Sequence, residues 1–336
     1  MTSIPPASIP PAGDHGGDGV AVARALGIDP AELLDLSQNM NPALPEGLVA
    51  GVLSRHLHAV GRYPDPRTAT SLLADAFGVE PERLLLTHGG SEAIHLVSRV
   101  LGGGVRSEPE FGLHPRSPDG PRWRTDPHSP SGRLATAAER AGQSSGGREA
   151  EGMVWDEAFY ALATGRWTAA STSTSTSTST STSTTIVGSL TKTFHCPGLR
   201  LGYVLVGDPS DTIARCAAEQ PHWPVSTLAL AALPDLLELA DLPAWADRTS
   251  RLRAELGELL HTSWLGHELV VESADAPWVL VHAPGLRERL APHGVLVRDC
   301  TSFGLPGVAR VAVPDERGLE RLAQALEWAG RADEVR

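Results

Sequence analysis

Lys192 is the only lysine in the chain. The 336 residues hold 28 lysines and arginines together, so every other one of them is an arginine. A guanidinium can replace an ammonium as a charge, but it stays protonated and forms no imine. An ε-amine kept at one place therefore points first to Schiff-base chemistry with a carbonyl. A leftover surface lysine is the plain alternative. The surrounding residues read Ser189-Leu-Thr-Lys192-Thr-Phe-His-Cys-Pro-Gly-Leu-Arg200-Leu-Gly-Tyr203, which sets a hydroxyl three residues before the amine and a guanidinium eight residues after it. A hydroxyl and a bidentate guanidinium suit a phosphate dianion.

Other residues could do chemistry beside it. Gly152-Met-Val-Trp155-Asp156 is an apolar strand pattern ending in an acid, and open α/β sheets bind ligands at the C-terminal ends of their strands. Capping of the next turn is the other role open to Asp156. Thr87-His-Gly89-Gly90-Ser91 reads as a turn opening a helix, whose free N–H groups sit at the positive end of the dipole and seat an anion. Ser91 can cap that helix or donate to the anion. Arg310 interrupts the apolar run Val308–Val313. A guanidinium is costly there unless paired, so its partner is an incoming anion or an internal acid. Arg62-Tyr63-Pro-Asp-Pro66 is a stiff extended turn.

Taken together, Ser-x-x-Lys…Pro-Gly-Leu-Arg-Leu-Gly-Tyr resembles the cofactor-lysine segment of fold-type I pyridoxal-phosphate enzymes, class I/II. Within them it is closest to the threonine-phosphate decarboxylase and histidinol-phosphate aminotransferase branch. The resemblance implies an α/β fold-type I transferase: a three-layer αβα large domain with a mainly parallel sheet, and a smaller α/β C-terminal domain. It implies pyridoxal 5'-phosphate as cofactor, carried covalently by Lys192, with Ser189, Arg200, Gly89, Gly90 and Ser91 at its phosphate. Asp156 would pair with the pyridine nitrogen and Phe111 would stack on the ring. Ser129 stands in Asp126-Pro-His-Ser129-Pro-Ser-Gly where the family has an asparagine contacting the phenolic oxygen. Tyr63 would reach the phosphate of a second subunit, making a homodimer with composite sites. Arg310 would bind the substrate carboxylate. His15-Gly-Gly and Asp35-Leu-Ser-Gln-Asn39-Met-Asn41-Pro42 resemble the opening of the decarboxylases, which makes Asn39 and His15 substrate-side candidates.

The elements that would hold these residues follow from periodicity and punctuation. Helices are expected at Leu48–His58, Thr68–Phe77, Leu134–Ala141, Leu228–Leu239, Pro243–Leu260 and Glu316–Trp328. Strands are expected at Arg83–Leu86, Leu201–Val206, Trp278–His282, Val295–Arg298 and Val308–Val313. The division is a disordered Pro-rich arm over 1–14 and an N-terminal segment over 15–45 that packs on the small domain and the active site. A large domain spans 46–225, with a low-complexity linker over 168–185, and a small domain spans 226–336. From Phe111 to Asp126 the chain is too short for the usual helix plus strand, so part of the large domain is expected to be missing.

Net charge is −12 with no basic tract, which argues against nucleic acid and anionic membranes as partners. Cys196, Cys216 and Cys300 make neither a disulfide framework nor a metal-ligand spacing. Nothing resembles a signal peptide or a membrane span of roughly 18 apolar residues, so a cytoplasmic protein is expected. The substrate expected is a small anionic amino acid. The favoured reaction is decarboxylation of L-threonine O-3-phosphate to (R)-1-aminopropan-2-yl phosphate, for cobalamin biosynthesis. The alternatives are an aminotransferase on histidinol phosphate or another amino acid with 2-oxoglutarate as acceptor, and a pyridoxal-phosphate-binding protein with degraded catalysis.

Overall fold

A computed structural model of the chain describes residues 9–140, 152–170, 184–207, 211–262, 271–272 and 274–334. The Ser-Thr tract read as a mobile linker lies outside these residues, apart from its ends, and so does the start of the arm.

Alternation along short apolar strands builds the larger sheet. Its strands are β2 (Leu84–Thr87), β3 (Gly104–Val105), β4 (Arg122–Thr125), β5 (Met153–Asp156), β6 (Thr184–Ser189) and β7 (Gly202–Val206); the sheet order is β2-β7-β6-β5-β4-β3. Pairing is parallel from β3 to β6, and β7 runs antiparallel to both its neighbours. Successive residues face opposite sides of a strand. Met153, Trp155, Ile186, Tyr203 and Leu205 accordingly pack into one core with the helices Arg67–Phe77 and Thr227–Glu238. Val154, Val187 and Val204 pack into another with the helices Gly90–Leu101 and Thr212–Glu219. Helices thus cover both faces of a mainly parallel sheet, the three layers expected. Residues 106–121 hold no helix and no strand, and β4 pairs directly with β3, as the short interval implied.

The smaller sheet has the order β1-β10-β11-β9-β8, with β1 (Leu34–Leu36) contributed by the N-terminal segment. The rest are β8 (Val271–Glu272), β9 (Trp278–His282), β10 (Val295–Asp299) and β11 (Val308–Ala312). Val279, Val281, Val295, Val297, Ala309 and Val311 face a core closed by the helices Leu242–Thr262 and Glu316–Glu334. The alternate residues on the other face include Arg298 and Arg310, which are direct cross-strand partners.

Two expectations need correction. The end of the arm is tied down: Ile9 packs against the small-sheet cluster around Val22 and Leu296, and Pro10 O accepts from Arg287 Nη1 at 2.8 Å. The helix expected from Leu134 begins at Ala137. The preceding N–H groups are taken by carboxylates: Leu134 N–H donates to Asp275 Oδ2 and Ala135 N–H to Asp126 Oδ1, both at 2.9 Å.

Candidate active site

Strand β6 ends at Ser189, and the chain turns at once into the four-residue helix Leu190–Thr193. Leu190, Thr191 and Thr193 of that helix are buried, while Lys192 is half-buried and lines a cavity of about 450 Å³ between the two sheets. The N-terminal segment holds this turn in place. Asn41 N–H donates to Lys192 O at 3.1 Å, and Asn41 Nδ2 donates to Thr193 O at 2.9 Å. Beneath it Gly188 is required, because a Cβ there would lie 2.2 Å from Tyr203 Cζ. Burial first, then the positive charges of Arg310 and Arg200, pulls the Lys192 amine down to about 8, with Asp156 opposing. A lysine so perturbed in a cleft is what nucleophilic amine chemistry needs.

One end of the cavity is built for an anion. Gly89 has φ +79, and a Cβ on it would lie 2.6 Å from Arg200 Nη2. The guanidinium thus packs directly against glycine backbone at the N-terminus of the helix Gly90–Leu101. Gly90, Ser91, Ser189 and Arg200 line this end, and Ser189 Oγ is 2.7 Å from Thr191 Oγ1. Arg200 itself takes a positive φ of 55.

Asp156, the last residue of β5 and buried, lies further along. Its Oδ1 accepts from Ala158 N–H at 3.0 Å, and its Oδ2 is 3.0 Å from His114 Nε2. Phe111 forms one wall, with its ring 5.5 Å from that of His114 and 5.8 Å from that of His15. Ser129 is buried in the lining, its N–H donating to Thr125 Oγ1 at 2.6 Å. Phe159 completes the wall, its ring centroid 5.9 Å from Lys192 Nζ.

The small sheet supplies a second cationic end. Arg310 forms no ion pair among the described residues; burial, then Arg298, brings its pKa down to about 10. In the amide orientation that satisfies both groups, Asn39 Oδ1 accepts from Arg310 Nε and Nη2, each at 3.3 Å. Arg298 beside it is buried. Its Nη2 donates to Asp14 O at 2.6 Å and to Ser302 Oγ at 2.9 Å, while its Nε has no partner. The Phe303 ring lies 5.1 Å from one guanidinium and 5.8 Å from the other.

All the residues singled out in the sequence line or abut this cavity, except one. Tyr63 is 78% exposed and sits against Trp223, ring centroids 4.7 Å apart. Sequence reasoning missed His114, Asn41 and Arg298. Arg298 was within reach, because Val295-Leu-Val-Arg298 alternates as Ala309-Arg310-Val311 does. His114 lies 42 residues from Asp156, and no spacing rule joins them.

Among the described residues, no group of three or more His, Cys, Asp and Glu side chains could hold a metal, and no helix is long and apolar enough to cross a membrane. The three cysteines are buried and free.

The profile of the aminotransferase class I and II family matches residues 124–326, more than half of the chain, and the chain belongs to that family. The histidinol-phosphate aminotransferase of Natronomonas pharaonis is 26% identical over 348 residues, covering 91% of this chain and 93% of that one. The structure of the histidinol-phosphate aminotransferase of Sinorhizobium meliloti, in complex with pyridoxal-5'-phosphate, is similar at a TM-score of 0.72 and 16% identity, covering 94% and 95% of the two chains. The L-threonine-O-3-phosphate decarboxylase of Porphyromonas gingivalis is similar at 0.64 and 18%, covering 86% and 98%. The chain is a fold-type I pyridoxal-phosphate enzyme, and its cofactor is pyridoxal 5'-phosphate. The residues present fit that group: a cradle that a Cβ on Gly89 would fill, a helix N-terminus beside it, a buried carboxylate, an aromatic wall and a single amine.

Proposed function

We propose that the chain is an aminotransferase for a small phosphorylated amino acid or amino alcohol of the histidinol-phosphate kind, with 2-oxoglutarate as acceptor. One observation carries this reading: Arg298 and Arg310 stand side by side on the cavity face of the small sheet, and among the described residues neither forms an ion pair. Two adjacent guanidiniums held by neutral oxygens rather than by acids suit a dianion. The full-length relative also favours the aminotransferase over the decarboxylase, which supports this chain's kinship in fold alone. In either reaction the acceptor or substrate carboxylate would meet Arg310 and Asn39, with His15 at the rim.

In this reading Ser189, Ser91, Arg200 and the N-terminus of the helix opening at Gly90 would hold the phosphate of the cofactor. Asp156 would meet its ring nitrogen, Phe111 its face, and Ser129 its phenolic oxygen. The bound cofactor supplies an electron sink for a carbanion at the substrate's α-carbon. Lys192 supplies the covalent anchor and, once displaced by the substrate amine, holds and returns the α-proton from Nζ; an amine brought down to about 8 can do both near neutral pH. We further propose a homodimer in which the partner subunit's Tyr63 reaches the cofactor phosphate.

Purified protein should absorb in the visible, and Lys192→Ala should lose the band. With histidinol phosphate and 2-oxoglutarate it should release glutamate. Carbon dioxide from threonine phosphate without glutamate formation would replace this reading by the decarboxylase. Neither product from a protein that holds cofactor would leave only binding.

A further inference from the structure

The Pro-rich arm is a five-residue repeat. Ser3-Ile4-Pro5-Pro6-Ala7 is followed at once by Ser8-Ile9-Pro10-Pro11-Ala12. The second repeat has a seat on the small domain. Ile9 is half-buried and packs on the cluster around Val22 and Leu296, as Leu26 and Ile28 do. The carbonyl that follows it, Pro10 O, accepts from Arg287 Nη1 at 2.8 Å.

Leu26 and Ile28 also line a neighbouring groove of about 460 Å³, together with Pro292, His293, Trp328 and Arg321. The groove has the same two parts as the seat of Ile9, an apolar floor and an arginine. Arg321 Nη2 donates to Glu32 O at 2.5 Å on its rim. Trp328 marks the groove as a place for an occupant. It stands 50% exposed on the helix Glu316–Glu334, its ring 5.9 Å from that of His293. Proline-rich segments dock on aromatic-lined grooves of this kind, because a polyproline II segment is stiff beforehand and loses little entropy on binding. Pro5 and Pro6 favour that conformation by fixing their own φ. From Ile9 back to Ile4 such a segment spans about 15 Å, and residues 1–8 include no charged side chain, which suits an apolar floor.

We propose that the first repeat docks in this groove of its own chain, with Ile4 and Pro5 against Trp328, so that the arm is held at two successive seats. From the second seat the arm runs on through Asp14, whose O accepts from Arg298 Nη2 at 2.6 Å, to His15 on the cavity lining. The two repeats thus anchor the segment that leads to the active site, whichever reaction that site performs.

The test is the indole N–H resonance of Trp328 in nitrogen-15-labelled full chain, assigned by its loss in Trp328→Phe. Deletion of residues 2–8 should move this resonance and leave the other indole resonances in place. Ile4→Ser combined with Pro5→Ser should move it likewise. A Trp328 resonance that the deletion leaves unchanged gives the groove to some other occupant and overturns the proposal. Mixing tells one chain from two: the labelled deletion variant, mixed with unlabelled full chain, should keep its displaced resonance. Its return to the wild-type position, with chain exchange shown by tags, assigns the groove to the arm of a second copy and overturns docking within one chain. A measurement on the unaltered protein decides the matter where a variant does not fold. A nuclear Overhauser contact should join the Trp328 indole to the Ile4 methyl groups, identified by their loss in Ile4→Val. Its absence overturns the proposal.

Discussion

A lysine amine attacks an electrophile only as the neutral base, and in this chain an amine-directed reagent has one side-chain target. Acylation of the apoprotein, followed by peptide mapping, therefore reads Lys192 separately from the N-terminal amine. Because burial and two arginines bring this amine down to about 8 from 10.5, labelling should reach half its maximal rate near pH 8. Below that midpoint the amine is ammonium and unreactive. Arg310→Met should move the midpoint upward, since it removes a charge that disfavours ammonium. A midpoint near 10.5 in the unaltered protein would contradict the structure. The amine's identity was legible in the sequence through its singularity and its flanking Ser189 and Arg200. Its titration was not, because Arg310 is 118 positions away and reaches the site only across the two sheets.

At the scale of elements, a buried ion cluster joins the turn that carries Ser129 to the strand that carries Asp156. Arg140 pairs with Asp126 and, at 2.7 Å, with Glu157 Oε1, two carboxylates 1% and 0% exposed. Its guanidinium lies 4.6 Å from the Trp155 ring and 5.0 Å from that of Tyr160. Removing one partner of such a cluster leaves uncompensated buried charge, so Arg140→Leu should cost about 3–5 kcal/mol. The sign of its pH dependence follows from Glu157, whose pKa burial raises. The folded state binds that proton more tightly than the unfolded chain, so lower pH favours folding at this group. The deficit of Arg140→Leu against wild type, measured by urea unfolding, should shrink from pH 7 to pH 5. A loss equal at both would sink this account. Strands were readable where apolar residues run together, as in β9 (Trp278–His282). The delayed helix start at Ala137 was not, because its cause is a pair of carboxylates, one of them Asp275 in the other sheet's region.

For the whole molecule, Tyr63 is the residue that the single chain does not bring to its own cavity. With 78% of its surface exposed and Trp223 beside it, it is free to serve a second copy. If sites are composite, Lys192→Ala and Tyr63→Ala chains, each impaired alone, should regain activity when mixed. A hybrid dimer holds one site with both residues intact, about a quarter of all sites at random reassortment. No gain on mixing, with exchange shown by tagged chains, would contradict the dimer proposal.

The amino-acid sequence by itself determined the candidate amine and the layered fold. Those depend on local spacing: an amine between a hydroxyl and a guanidinium, short apolar runs that form strands buried on both faces, and helical patterns that bury one face. Only the tertiary structure decided what surrounds the amine. It put Arg298 across from Arg310 through antiparallel register, set His114 behind Asp156, and bolted the Lys192 turn to Asn41. Each of these joins residues far apart in the chain, and their meeting is set by which sheet faces pack together rather than by any local pattern.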